Sequence, residues 1–160
     1  MAGQQSSTYL TKDNMWVTIY TDASWFPETK EGGWGFWAKS DRGRITKHGK
    51  LPKWVKCSNS AEIAAILIGV VEIFETWRNE EIKGVLVCTD SQVAMHYLKY
   101  RPNGVEGLKR NDWLKIRAIL YELLDSQDCL IKIRHVKGHQ KTNTRQAWLN
   151  NKVDEFTRKF

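Results

Sequence analysis

A change in hydrophobic periodicity near Ser60 constrains the fold of this chain more than any other feature of its sequence. Before that point, residues 15–21 alternate apolar and polar side chains, several of them β-branched, which is typical of a strand. Two further strand-like runs, residues 32–39 and 43–51, flank a turn-forming tetrapeptide at residues 40–43 and predict an antiparallel hairpin. After that point, apolar residues recur at the 3.6-residue spacing of a long amphipathic helix. They are Ile63, Ile66, Leu67, Val70, Val71, Phe74 and Trp77.

The second half of the chain alternates between strands and helices. An unbroken apolar run at residues 85–89 predicts a strand buried on both faces, and residues 130–136 predict another strand. Helices are predicted over residues 91–100, 111–124 and 146–160, the last of which closes the chain.

The resulting order, βββαβααβα, predicts an α/β fold. Right-handed crossovers would make the two later strands parallel to the first and extend the same sheet. We therefore expect one five-stranded mixed sheet, three strands antiparallel and then parallel ones, with helices on both faces. No repeat or linker divides the sequence, so a single domain over residues 15–160 follows a polar lead-in at residues 1–14.

The charge balance gives a first indication of function. Lys and Arg number 25 against 18 Asp and Glu, a formal net charge of +7, which favours a polyanionic partner, although solubility alone could explain it. Three cysteines without metal-binding spacing argue against a disulfide framework and a structural zinc. The chain shows neither a secretion signal nor an apolar stretch long enough to cross a bilayer, so we expect a cytoplasmic protein with no membrane partner.

Two aspartates occupy matching positions after two predicted strands. Asp22 ends the first strand and Asp90 ends the fourth, and each follows a threonine. Neighbouring parallel strands bring their carboxyl ends to one edge of a sheet, so the two carboxylates would stand side by side there if the first and fourth strands are adjacent. Each aspartate taken alone could equally form a turn or cap a helix.

Two further carboxylates would complete a cluster. Glu62 is expected in the first turn of the long helix, where glutamate is common for dipole reasons, and Asp154 lies in the closing helix, where it could simply face solvent. If all four converge, their hard oxygen ligands favour Mg²⁺ or Mn²⁺. Two such ions roughly 4 Å apart can activate a water and stabilise a leaving oxygen at phosphorus.

Six short segments occur in a fixed order between residues 20 and 155. They are YTDAS (20–24), GGWG (32–35), SNSAEIAA (58–65), TDSQ (89–92), HVKGH (135–139) and NNKVDE (150–155). In this order, and on the predicted arrangement of strands and helices, they resemble type 1 ribonuclease H. The resemblance implies an endonuclease that hydrolyses the RNA strand of RNA/DNA hybrids with two Mg²⁺ or Mn²⁺ ions. It also implies 5′-phosphate and 3′-hydroxyl products, a monomer and no organic cofactor.

The resemblance also implies roles for individual residues. Asp22, Glu62, Asp90 and Asp154 match the four metal-binding carboxylates, and His139 matches a loop histidine that assists proton transfer or product release. The positions that match substrate contacts are Ala23, Ser24, Ser58, Asn59, Gln92 and Asn150. For all of them a polar loop or a helix cap is the plain alternative, and His135 is interpreted as a strand-end side chain where many relatives have tryptophan.

Departures from the family pattern leave alternatives open. Cys57 stands where a phosphate-binding threonine is common, and the segment between Asp90 and Trp113 is too short for the basic helical handle of many bacterial members. A handle-less phage, mobile-element, retrovirus-like or bacterial protein is therefore expected. The rival interpretations are another nuclease on the same fold, such as a resolvase or transposase, and a non-catalytic hybrid-binding module.

Overall fold

Five strands and three helices are formed by the residues that the structure, a computed structural model, describes (15–99 and 110–137). In chain order they are β1 (Trp16–Phe26), β2 (Glu31–Ser40), β3 (Gly43–Lys50), α1 (Ser58–Thr76), β4 (Gly84–Thr89), α2 (Gln92–Lys99), α3 (Arg110–Ser126) and β5 (Leu130–His135). The predicted lead-in at residues 1–14 and the predicted closing helix at residues 146–160 lie outside the described residues.

The five strands form one mixed sheet in the order β3-β2-β1-β4-β5. The pairs β1–β2 and β2–β3 are antiparallel, whereas β1–β4 and β4–β5 are parallel. The predicted topology is therefore confirmed: a hairpin-connected half is joined through the central β1 to a parallel half. This order places the carboxyl ends of β1 and β4 next to each other, which the site requires.

The main core lies between the sheet and α1. Val17 and Ile19 alternate with half-buried residues along β1 and are fully buried, as strand geometry requires. Gly69 lets the helix approach the sheet closely, because a Cβ there would stand 2.6 Å from Cδ1 of Ile19. Close packing of α1 on β1 brings the first turns of the helix beside the strand that carries Asp22.

The three described helices lie on one face of the sheet, since α1 contacts both α2 and α3. Helices were expected on both faces, and the predicted closing helix lies outside the described residues. Within the part of the chain that the structure covers, no helix is both long enough and apolar enough to cross a membrane.

A second, smaller core supports the beginning of α1. It is formed by Leu51, Val55, Ala61 and Ala64, with the partly buried rings of Trp25, Trp34 and Trp54 packed against it. It joins the outer part of the β1–β2 hairpin and the loop after β3 to the first two turns of α1. Ala61 and Ala64 flank Glu62 along the helix, so this packing fixes the orientation from which Glu62 projects.

The structure corrects several predicted boundaries. β1 runs on to Phe26, five residues beyond the predicted end, because its second half pairs with β2 from Asp22↔Gly35 to Phe26↔Glu31. α1 begins at Ser58 rather than Ser60. Val71, a member of the predicted apolar stripe, is 37% exposed, since a helix of this length turns one edge of its apolar stripe towards solvent.

Candidate metal centre

Asp22 lies beside a notch in the sheet, formed because β1 continues where its parallel neighbour stops. The pairing of β1 with β4 reaches only Tyr20↔Cys88, and beyond it β1 is paired with β2. Asp22 therefore lies inside β1 and not at its end, which corrects the sequence-based expectation. Its position next to the carboxyl end of β4 is nevertheless the predicted one, and the residue is only 8% exposed.

Asp90 follows the last residue of β4 and is held between two backbone anchors. The Ser91 N–H donates to Oγ1 of the buried Thr89 at 3.1 Å, and the Ala94 N–H donates to Oγ of Ser91 at 3.0 Å. Ser91 thus caps α2, so the alternative of Asp90 as a helix cap is not what the structure shows. The Asp90 carboxylate is directed to the cluster described below.

Glu62 is the fifth residue of α1, and the first turn of that helix contains no acidic residue. The expectation that Glu62 belongs to the first turn is therefore wrong, because the helix begins two residues earlier than its apolar pattern indicates. The N-cap position is occupied by Cys57, and the Ser60 hydroxyl completes the cap from within the helix. Its Oγ accepts from the Cys57 N–H at 3.1 Å and donates to the Cys57 carbonyl at 3.0 Å.

The three carboxylates converge. One oxygen from each of Asp22, Glu62 and Asp90 lies within 4.8 Å of the other two. Glu62 Oε2 is fully buried and has no hydrogen-bond partner. Burial, followed by the charges of Asp22 and Asp90, raises the pKa of Glu62 well above its ordinary value, while the Ala23 N–H acts in the opposite direction.

This arrangement fits a divalent cation. An uncompensated cluster of like charges is unfavourable in a partly buried site, and a buried carboxylate oxygen without a donor lacks the partner that such groups normally have. A hard cation would neutralise the cluster and give the buried Glu62 oxygen a partner, since oxygen ligands at this spacing suit Mg²⁺ or Mn²⁺. The chemistry of the donors and the orphaned Glu62 oxygen both point to a metal centre.

Five of the predicted substrate residues lie on the three elements that carry or adjoin the carboxylates. Ala23 and Ser24 follow Asp22 in β1 and are half-buried. Ser58 and Asn59 form the start of α1, and Gln92 begins the exposed edge of α2. All of these residues are near one of the three carboxylates along the chain. His139, Asn150 and Asp154 lie outside the described residues.

Sequence reasoning missed one residue that borders the centre. His135, on sequence grounds a plain strand-end side chain, is the last residue of β5 and pairs with Thr89 of β4. Its Nε2 lies 3.1 Å from the carbonyl oxygen of Asp90. The signal that could have found it was its place at the carboxyl end of a strand predicted to be parallel to the Asp90 strand.

Comparisons with known proteins bear on the family and the fold of this chain. Residues 14–160 match the family model of RNase H. Among solved structures, LC11-RNase H1, isolated from compost by a metagenomic approach, superimposes with a TM-score of 0.64 at 17% identity, covering 89% of this chain and 96% of the other. RNase H1 from the halophilic archaeon Halobacterium salinarum NRC-1 gives a TM-score of 0.63 at 22% identity, covering 88% and 98%. No curated protein matches the chain.

Proposed function

We propose that Asp22, Glu62 and Asp90 form the metal centre of this chain, which belongs to the ribonuclease H family and is an endonuclease for the RNA strand of RNA/DNA hybrids. The observation that carries this proposal is the meeting of three carboxylates, separated by 40 and 28 positions along the chain, within 4.8 Å. Helix caps and surface acids would have no reason to converge at one notch of the sheet.

Each of the three carboxylates is held in place by a different structural element. Asp22 is anchored by a strand that is paired on its β2 side, Asp90 by the capped turn after β4, and Glu62 by a helix packed on the small core. Rigid supports of this kind keep charged oxygens close together without a collapse of the site. Divalent cations bound there would supply the activation of a water and the stabilisation of the departing 3′ oxygen.

Two cations, Mg²⁺ or Mn²⁺, are the occupants we assign to the centre, with Asp154 as a fourth ligand and His139 as the group that assists proton transfer or product release. The products would carry 5′-phosphate and 3′-hydroxyl ends. A monomeric state and a cytoplasmic location belong to the same proposal and stay predictions of the sequence.

Recognition of the hybrid is assigned to the polar residues beside the carboxylates. Ser58, Asn59 and Gln92 present donors and acceptors to a minor groove, where the 2′-hydroxyl groups distinguish an RNA strand from DNA. Ala23 and Ser24 are the proposed contacts to the RNA strand from β1, and Asn150 supplies another. The net charge of +7 supports attraction of the nucleic-acid backbone.

Cleavage of an end-labelled RNA/DNA hybrid by wild type and Asp22→Asn tests the proposal, with Mg²⁺ and with chelator. We expect Asp22→Asn to lose more than about 100-fold in rate, since even loss of an outer partner of a metal ligand typically costs about 10–100-fold. Hybrid binding should persist because only metal ligation is removed. Asp41→Asn, in the exposed turn after β2, is the matched control and should cleave normally.

Parallel substrates separate the remaining alternatives. A resolvase- or transposase-like nuclease would cleave a four-way junction or double-stranded DNA in preference to the hybrid. A binding module would retain the hybrid without cutting it. Either result would contradict cleavage of the hybrid as the activity, and unchanged cleavage by Asp22→Asn would contradict the proposed metal centre.

A further inference from the structure

The ends of β4 and β5 meet beside the metal centre. Thr89 and His135 are the last register pair of the two parallel strands, and the Val136 N–H donates to the Thr89 carbonyl at 2.8 Å. The residue that follows β4 is Asp90, one of the three clustered carboxylates. His135 is therefore placed, by strand pairing alone, one residue away from a proposed metal ligand.

The imidazole of His135 holds the peptide of Asp90. Its Nε2 lies 3.1 Å from the Asp90 carbonyl oxygen, which stands beyond the last residue of β4. A carbonyl oxygen can only accept, so Nε2 carries the proton in this contact. The imidazole thus extends the strand pairing by one bond, at the point where the backbone leaves the sheet.

The neighbouring backbone is already fixed on both sides of Asp90. Thr89 is anchored by the strands and by its hydroxyl, which accepts from the Ser91 N–H, and Ser91 is anchored by its cap of α2. The contact to His135 engages the peptide oxygen of Asp90 itself. That contact restrains the peptide from which the Asp90 carboxylate projects toward Asp22 and Glu62.

We infer that His135 is a positioning residue for the metal centre, acting through the backbone of Asp90. This inference rests on the proposed function, since it gives His135 a role toward the cation that Asp90 would ligate. Groups that orient metal ligands typically contribute about 10–100-fold to metal affinity or activity. His135 itself does not touch the cation or the reacting phosphate in this role.

A pair of amide variants tests the contact by its geometry. In His135→Gln the amide nitrogen stands about where Nε2 stands, so the donor to Asp90 is retained. In His135→Asn the amide nitrogen stands about where Nδ1 stands, and the asparagine side chain is too short to reach the Asp90 carbonyl. His135→Leu removes the donor at similar volume.

The measurement is Mg²⁺ binding to the substrate-free protein by calorimetry, with Mn²⁺ as a second probe. We expect His135→Leu and His135→Asn to bind Mg²⁺ about 10-fold or more weakly, and His135→Gln to stay within about 2-fold of wild type. The hybrid KM at saturating Mg²⁺ should be unchanged. Circular dichroism and thermal melting identify any variant that fails to fold. If His135→Leu does not fold, the Gln and Asn variants still test the positioning role of His135.

Two results would overturn the inference. If folded His135→Asn binds Mg²⁺ as tightly as wild type, His135 is only a strand-end side chain. Equal losses of Mg²⁺ affinity in the Asn and Gln variants would lead to the same conclusion. Failure of the proposed function has a different appearance, because the wild-type protein itself would then bind no cation or Asp22→Asn would bind as well as wild type.

Discussion

Replacement of Glu62 by glutamine should stabilise the metal-free protein. Glu62 Oε2 is buried without a hydrogen-bond partner, and the carboxylates of Asp22 and Asp90 lie within 4.8 Å. Burial and these two charges raise the pKa of Glu62 well above its ordinary value of 4.5, which means that the folded state disfavours the ionised form. Glutamine has nearly the same shape and never ionises, so the variant escapes this penalty.

The size of the effect follows from the geometry. Two unit charges 4.8 Å apart repel by about 3.5 kcal/mol at an effective dielectric constant of about 20. Separations shorter than 4.8 Å would raise this figure, whereas sharing of the charge between two oxygens and binding of a proton lower it. Burial of an amide offsets part of the gain. We therefore expect a net stabilisation of about 2 kcal/mol at neutral pH, or roughly 4–8 °C in Tm for a chain of 160 residues.

The dependence on pH has a definite sign. A carboxyl group whose folded pKa is raised causes no penalty below its unfolded pKa, where it is protonated in both states. The penalty grows as pH rises above 4.5 and becomes constant above the raised pKa, so wild type loses about 1.4 kcal/mol per pH unit within that window relative to the variant. The two proteins should therefore melt together at about pH 4 and separate toward neutral pH.

Thermal unfolding in chelator, followed by circular dichroism across this pH range, measures the difference. Excess Mg²⁺ should raise the Tm of wild type more than that of Glu62→Gln, because bound ligand stabilises the folded state and the variant has lost a ligand charge. Glu75→Gln, an exposed position on the same helix, is the matched control and should melt like wild type. Equal melting of wild type and Glu62→Gln at neutral pH, or a difference that persists at about pH 4, would refute the reasoning.

Two further predictions concern a close backbone contact between strands and a hydrogen bond between helices. Gly32→Ala should destabilise the protein by about 1–3 kcal/mol in chemical denaturation, because its Cβ would stand 2.0 Å from the Ser24 carbonyl oxygen and 2.8 Å from Cδ1 of Leu51; a loss below about 0.5 kcal/mol would contradict this close approach of β2 to β1. Tyr121→Phe should cost about 0.5–1.5 kcal/mol, because it removes the bond from the Tyr121 hydroxyl to the Leu98 carbonyl at 2.5 Å. Hybrid cleavage by Tyr121→Phe should be unchanged, and a variant as stable as wild type would show that this bond contributes nothing.

Much of the fold and part of the site could be predicted from residue patterns. The alternation of residues 15–21 and the turn at residues 40–43 are local features, and local features decide strands and hairpins well. Asp22 and Asp90 could be paired because parallel strands deliver their carboxyl ends to one edge. Glu62 could not be singled out in this way, because glutamate near a helix start is common and only burial gives it a special environment.

Other properties of the site depend on contacts between distant segments. The length of β1 was underestimated because Trp25 and Phe26 are held in the strand by pairing with Gly32 and Glu31, not by their own alternation. The start of α1 was misplaced because Cys57 caps it, and cysteine is not among the residues that mark helix starts.

The sequence by itself determined the order of the elements and the residue types available at the ends of the strands, because periodicity and turn chemistry act over a few residues. Only the tertiary structure decided that β1 passes beyond β4, that Glu62 Oε2 is buried without a donor and that His135 reaches the Asp90 carbonyl. Each of these depends on the packing of segments far apart along the chain, and side-chain distance and burial are properties of that packing.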